Sequence, residues 1–376
     1  MNFIIVCDVM ADLEGFIRPA IYLADWLVKG GYKVTVVSPY MSKGVERHLT
    51  STGINFINLG AKLFFKNFGK SLLFFESWGR EAFFRLNSRL TNGLPVATVN
   101  FSQTLSIPSI FWYLQGPTSS ALKDIENELA AAYSLTYKTF HFVIEHVDIK
   151  LVKDLYLKSS FVVANSKFCA SLYEKLGVRV DEVIYPPVDS NIFRPSTRKP
   201  SENYVLTYFG KETKFSVVKA IADLGVKIKA FGFKAPFIPN SLTNHVNIEF
   251  LGEISSEDLV DAYSNALFTI FPFTHEPFGY IPVESMACGT PVLTYNIQGP
   301  SESVVDGVTG WLVKGDYELI RKALEIWKDK YDCGIRENCI ETAAKFSVEN
   351  YVKNWMRLFS TCIEQSSYIV VERGRH

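Results

Sequence analysis

The chain is predicted to fold as two doubly wound α/β domains. Three features point there: an opening strand–loop–helix–strand unit, the same alternation along the rest of the chain, and a proline-rich stretch that divides it into halves of similar size. In the opening unit, residues 3–6 form a short apolar strand and residues 8–15 a loop. Arg18–Lys29 has the period of a helix, with Ile21, Leu23, Ala24, Leu27 and Val28 at its apolar positions. Gly30 and Gly31 end that helix, and a β-branched run over 32–37 stops before Pro39. Two strands joined this way pair in parallel with a right-handed crossover. Further strands are expected over 160–164, 204–209, 227–231, 267–271 and 291–295.

Residues 185–203 carry Pro186, Pro187, Pro195 and Pro200 among Ser, Arg and Lys, the make-up of a semi-rigid connector. The expected organisation is a first Rossmann-like domain over 1–190, a second over 198–347, and a C-terminal helix and tail over 348–376. Within that last segment Tyr351, Val352, Trp355, Leu358 and Phe359 fall on one face of a helix.

Composition bounds the function. Of 376 residues 48% are hydrophobic and 21% charged, which excludes a disordered chain. The 39 Lys and Arg balance 39 Asp and Glu, so the basic excess of a general nucleic-acid binder is missing. No apolar run approaches the ~20 residues that span a bilayer. The first six residues lack a charged n-region and read as a strand instead of a signal peptide. The six cysteines are scattered with no CxxC pair, so reduced thiols and a cytoplasmic location are expected.

The segment from His275 to Val292 carries the chemistry. It follows the apolar run 267–271. Gly279 permits close approach of the backbone to a ligand, and Pro282 suits the first turn of a helix that stops at Cys288-Gly289. The start of such a helix presents unpaired N–H groups and a positive dipole end, a seat for a phosphate. Glu276 precedes the helix and Glu284 lies inside it. Their spacing does not make them a mutual acid/base pair; it suits two different jobs on one elongated ligand, each carboxylate accepting hydrogen bonds from hydroxyls. Taken alone, two such glutamates more often simply face water.

The wider pattern resembles the retaining GT-B glycosyltransferases of the large family typified by sucrose synthase and bacterial mannosyltransferases (glycosyltransferase family 4). Glu276 and Glu284 match its E-x7-E signature within the segment from Glu276 to Val292. Asn165-Ser166, the run Tyr185-Pro186-Pro187-Val188-Asp189, Gly299-Pro300-Ser301-Glu302 and Phe346-Ser347 match further family segments. The resemblance is strong over 160–359 and weaker before it. It implies a GT-B fold, with two Rossmann-like domains facing a cleft and a C-terminal helix crossing back to the first.

By that resemblance Glu284 holds the ribose hydroxyls of a nucleotide and Glu276 the hydroxyls of the donor sugar. The backbone at Phe278, Gly279, Tyr280 and Ile281 meets sugar or phosphate, and Gly15 faces the diphosphate from the first domain. Ile254 borders the base. Lys211 and Lys214 stand where the family has an Arg and a Lys that neutralise the diphosphate. Gln115 stands near the position where many relatives carry a histidine close to the reacting sugar; unlike histidine, it cannot titrate. His141, Glu145 and His146, in a helical stretch, are alternatives for that place. The catalytic set is therefore expected to be Glu276, Lys211 and Gln115. The resemblance implies retention at the anomeric carbon without a metal or cofactor, a UDP- or GDP-type sugar donor, and a glycan, lipid-linked or other hydroxyl acceptor. No Asp-x-Asp pattern occurs.

Residues 61–90 hold eight aromatic and six basic side chains against Glu76 and Glu81, with Lys62, Lys66 and Lys70 at helical spacing. A basic stripe beside aromatics is suited to an anionic membrane surface; it is equally suited to a packed helix pair with solvated lysines. Two other functions share the architecture: a non-hydrolysing sugar-nucleotide epimerase, for which Gln115 is a poor acid/base group, and a non-catalytic nucleotide-sugar binder.

Overall fold

The computed structural model describes residues 2–13, 15–64, 74, 76–81, 97–125, 131–197, 200–232, 238–332 and 334–369, with side chains except at 125, 131–136 and 362–369. Its described residues form two parallel sheets. The first contains β1 (Asn2–Val6), β2 (Lys33–Ser38), β3 (Asn55–Asn58), β4 (Ala97–Asn100), β5 (Ser109–Leu114), β6 (Ser159–Ala164) and β7 (Glu182–Val183), in the order β3-β2-β1-β4-β5-β6-β7. The second contains β8 (Val205–Phe209), β9 (Ile228–Gly232), β10 (Ile248–Gly252), β11 (Thr269–Phe271), β12 (Val292–Tyr295) and β13 (Gly310–Val313), in the order β10-β9-β8-β11-β12-β13.

The opening unit forms as its sequence predicts. Helix Arg18–Lys29 joins β1 to β2, which pair in parallel from Asn2 opposite Lys33 to Val6 opposite Val37. Both strands are buried, which their near-continuous apolar runs require. The weakly patterned strands β3, β4, β7 and β10 have no expectation to match; β3 alternates exposed and half-buried residues.

The order reverses at the same place in each sheet, between β1 and β4 and between β8 and β11. In open parallel sheets the crevice beyond the strand ends at such a point is where ligands bind. The loops beside it are ordered differently in the two domains. After β1, the buried Asp8 carboxylate accepts from Ser102 Oγ, Thr104 Oγ1 and the Gln103 and Thr104 amides, fixing the loop after β4. Burial raises its pKa, and those hydrogen bonds oppose the rise. After β8, Thr213 bridges Phe273 antiparallel, Lys214 N donates to Pro272 O (2.8 Å) and Thr274 N to Glu212 O (2.8 Å). That bridge pins 211–214 beside 272–276.

The last helix, Val348–Ile369, returns to the first domain. Tyr351, Val352, Trp355, Leu358 and Phe359 all join the core formed by β1, β2, β4 and β5, as their spacing predicts. Trp355 is fully buried against Phe101, Phe111 and Tyr113, and the Tyr351 hydroxyl donates to Pro19 O at 2.9 Å.

The four described cysteines, Cys7, Cys169, Cys288 and Cys339, are buried and unpaired. Among the described residues no helix is long and apolar enough to cross a membrane.

Trp355→Ala removes an indole from the first domain's core and is expected to destabilise that domain by about 3–5 kcal/mol. Urea unfolding followed by near-UV circular dichroism reads this as an earlier first transition. An unchanged midpoint contradicts the docking of the final helix.

Candidate active site at the interdomain cleft

Glu276 stands just beyond β11, at the reversal point of the second sheet. Its carboxylate Oε1 accepts from the amides of Phe278 (3.3 Å) and Gly279 (3.1 Å), which turns the chain into helix Tyr280–Ala287. Gly279, at φ 96°, occupies the left-handed region that this turn demands and offers no side chain to cap the helix. No side chain caps the helix start, an arrangement suited to an anion.

A second loop seats Glu276 from behind. Gln298 accepts from Glu276 N at 2.7 Å and donates to Thr274 O at 3.1 Å. To do so it adopts φ 58°, an uncommon conformation for a non-glycine residue that the two hydrogen bonds offset. Gly299 follows, and a Cβ there meets Pro277 O at 2.3 Å, so only glycine lets the two loops touch.

Glu212, carried on the loop pinned to 272–276, is a second carboxylate near Glu276. Burial raises the Glu276 carboxyl to about 8, and the charge of Glu212 adds to the rise. The Phe278 and Gly279 amides and the Lys211 ammonium oppose it. Lys211 is exposed at the end of β8. Lys214 is engaged elsewhere: its ammonium pairs with Asp316 at 2.9 Å and lies 4.6 Å from the Tyr295 ring centre. Tyr295 also donates to Asp316, and with Lys214 it holds that carboxyl below its usual range against the effect of burial.

Glu284, on the helix, is 2% exposed. Tyr263 donates to its Oε2 at 3.4 Å, and the guanidinium of Arg18, from the first domain, pairs with its Oε1. Arg18 also lies over the Tyr280 ring, 5.1 Å from its centre. Gly15, at φ 59°, begins the short turn that leads into Arg18, and no atom lies within 4 Å of where its Cβ would be. Ile254 is half-buried after β10.

The two domains meet at several other points. Glu302 accepts from the amides of Lys167 (2.9 Å) and Phe168 (2.7 Å), capping helix Lys167–Glu174, and from the Tyr185 hydroxyl at 2.9 Å. Ser166 Oγ donates to Pro277 O at 2.5 Å. Gly116, at φ 119°, lies so close to Pro277 that a Cβ there meets Pro277 Cγ at 3.0 Å. His275 is 7% exposed; its Nδ1 lies 2.8 Å from Asp124 Oδ2, and its Nε2 is buried with no hydrogen-bond partner.

The structure thus gathers Glu276, Phe278, Gly279, Tyr280 and Ile281 at one helix start, with Lys211 on the neighbouring loop. It does not hold Lys214 with them. The Gln115 amide donates to Phe101 O at 3.0 Å and serves the loop that Asp8 orders. His141, Glu145 and His146 are exposed on helix Ala131–Leu157, where His141 contacts Lys138 O at 2.9 Å. Of the aromatic and basic stretch 61–90, residues 65–73, 75 and 82–90 lie outside the described ones. Within the rest, Trp78 is buried and donates to Asp148, while Arg80 pairs with Glu76 and lies over the exposed Phe64.

Five residues to which the sequence assigned no role belong to this region: Arg18, Glu212, His275, Gln298 and Glu302. Arg18 left a signal. A cation at the first position of a helix opposes the helix dipole, so it needs an acidic partner outside the helix.

Two parallel sheets with facing reversal points, a cleft between them and a final helix that returns to the first domain define a GT-B glycosyltransferase fold. Solved structures of that fold agree along nearly the whole chain. HepE of Anabaena, crystallised with UDP-glucose, superposes with a TM-score of 0.68 at 17% identity, covering 96% of this chain and 99% of that one. Sucrose-phosphate synthase of Thermosynechococcus elongatus gives 0.66 at 15% identity over 97% and 100%. Residues 240–346 match the family described as glycosyl transferases group 1. A D-inositol 3-phosphate glycosyltransferase of Nocardiopsis dassonvillei is 31% identical over 199 residues, 42% of this chain and 46% of that protein. Its counterpart in Mycolicibacterium smegmatis is 28% identical over 230 residues, 55% and 51% of the two chains. The matched region thus spans about half the length of these relatives. The sequence resemblance to GT-B glycosyltransferases holds for the fold and for the group 1 segment.

The Glu276 pKa has a consequence for stability. Between about 4.5 and about 8 the folded chain keeps the proton that the unfolded carboxyl releases, so this group's ionisation opposes folding as pH rises through that window. Glu276→Gln, which cannot ionise, is expected to lose that part of the decline in thermal midpoint between pH 5 and 8.5. Equal slopes in the two proteins refute the assignment.

Proposed function

We propose that this protein is a glycosyltransferase that moves a hexose from a nucleotide-diphosphate sugar to a hydroxyl acceptor, with retention at the anomeric carbon and without a metal. The observation that carries this reading is the placement of Glu276 and Glu284 about the uncapped start of helix Tyr280–Ala287, in a segment matching glycosyl transferases group 1. Glu284 takes the ribose hydroxyls, Glu276 the sugar hydroxyls, and the helix start, Lys211 and the Gly15 backbone face the diphosphate.

In this reading the bond from the anomeric carbon to the phosphate oxygen breaks, and the acceptor oxygen bonds to that carbon on the same face. The acceptor proton goes to the departing phosphate, so no separate general base is needed. Charge growing on the leaving diphosphate is met by fixed dipoles and by Lys211, which contribute most where water is excluded. A Glu276 carboxyl that keeps its proton near neutral pH can donate to a sugar hydroxyl as well as accept from one. Gln115 is a positioning residue here, through the loop at Phe101. The UDP-glucose in the HepE crystal makes UDP the first nucleotide to try, and the relatives named for D-inositol 3-phosphate suggest a phosphorylated polyol among the acceptors.

Thermal shift with UDP, GDP, ADP and their sugar conjugates is expected to show one nucleotide raising the midpoint, because a ligand of the native state alone stabilises it. Glu284→Ala is expected to weaken that nucleotide at least tenfold, the order of a lost charged hydrogen bond, and unchanged affinity by calorimetry refutes the ribose role. Sugar transfer is expected to persist in EDTA. Transfer that stops with EDTA and returns with Mg²⁺ contradicts the metal-free reaction.

A further inference from the structure

Glu284 is the residue the proposed function gives to the ribose, yet in the structure its Oε1 is taken by Arg18. Both partners are largely withdrawn from water: the Glu284 side chain is 3% exposed and that of Arg18 24%. Burial works against the guanidinium's charge, while Glu284 and Tyr280 raise its pKa. A ribose that takes Glu284 displaces a half-buried cation from its partner, and a cation left unpaired there is unfavourable.

The surroundings say where that cation goes. Arg18 lies over the ring of Tyr280, the first residue of the helix whose start is left uncapped. The guanidinium therefore lies beside the start of that helix, brought there from the first domain, whereas Lys211 belongs to the second. Stacking on Tyr280 can hold its plane while its hydrogen-bond partner changes. In this structure Lys214 pairs with Asp316 and lies against Tyr295, and Lys211 is the exposed lysine of the two. A guanidinium matches phosphate oxygens with two parallel hydrogen bonds, which an ammonium cannot do.

We infer that Arg18 is a donor-binding residue, one that exchanges Glu284 for the diphosphate when the ribose takes Glu284. The exchange leaves no buried charge alone: hydroxyls satisfy the carboxylate and phosphate satisfies the guanidinium. It links recognition of the two halves of the nucleotide, because each half frees the protein group that the other needs. The inference rests on the nucleotide-sugar reading above and deepens it.

Calorimetry on the full chain tests it, with UDP, GDP and ADP and with uridine, guanosine and adenosine, against wild type, Arg18→Ala and Arg18→Lys. The nucleoside diphosphate that wild type binds best sets the pair to compare. Arg18→Ala is expected to weaken that diphosphate about tenfold or more, the order of a lost charged hydrogen bond, and to leave its nucleoside unchanged or tighter. Arg18→Lys, which keeps the charge and not the fork, is expected to fall between, and it carries the comparison if Arg18→Ala loses its fold by circular dichroism. Equal affinity of variant and wild type for the diphosphate, or a gain that diphosphate and nucleoside share, overturns the inference and leaves Arg18 as a mere occupant of Glu284. Failure of wild type to bind any of the three diphosphates overturns the nucleotide reading itself, and the inference with it.

Discussion

One carboxylate sets how the two domains face each other. Glu302 accepts two backbone amides at the start of helix Lys167–Glu174 and the Tyr185 hydroxyl, all from the first domain or its connector. Its charge is satisfied at a helix N-terminus, where the dipole and the free N–H groups both favour an anion. Because Glu302 follows the Gln298-Gly299 loop, which seats Glu276, any tilt of the domains about Glu302 is transmitted to Glu276 through four residues of chain. Ser166 and Gly116, both against Pro277, hold the same junction from the first domain. Position of the proposed sugar-binding carboxylate and orientation of the domains are thus a single problem with a single solution.

How far the sequence discloses this depends on the kind of information involved. The strands and helices of both sheets were legible wherever burial on both faces produced continuous apolar runs, as in β1, β2, β8 and β11. The five residues of the final helix were legible because one face repeats at helical spacing. Strand β3, half solvated, and the two-residue β7 left no comparable signal. Within the candidate site, the glycine and the proline could be read from the backbone roles they fill, and the two glutamates from the family resemblance. The partners could not. Arg18 and Glu284 lie 266 residues apart, and Lys214's attachment to Asp316 depends on how β12 and β13 place a helix start beside it. No local pattern encodes such pairings.

The charged groups around the cleft divide according to what they neutralise before any ligand arrives. Lys214 is balanced by Asp316 inside the second domain. Arg18 is balanced by Glu284 across the cleft. Lys211 is exposed, and Glu212 beside it disfavours ionisation of Glu276. Before any ligand arrives, the charges of Lys214 and Arg18 are thus each met by a carboxylate of the protein itself.

The final helix also orders events in time. Trp355 closes the core over Phe101, Phe111 and Tyr113, which the ribosome releases some 240 residues earlier. At ordinary rates of synthesis, about 5–20 residues per second, these aromatic rings wait for many seconds without their lid. The second domain's core takes in Cys339, Ala343 and Phe346, made just before Trp355, so both cores close only once this late stretch of chain is available. The domain that is made first thus stays unfinished while the second is synthesised, its aromatic core open until the final helix arrives.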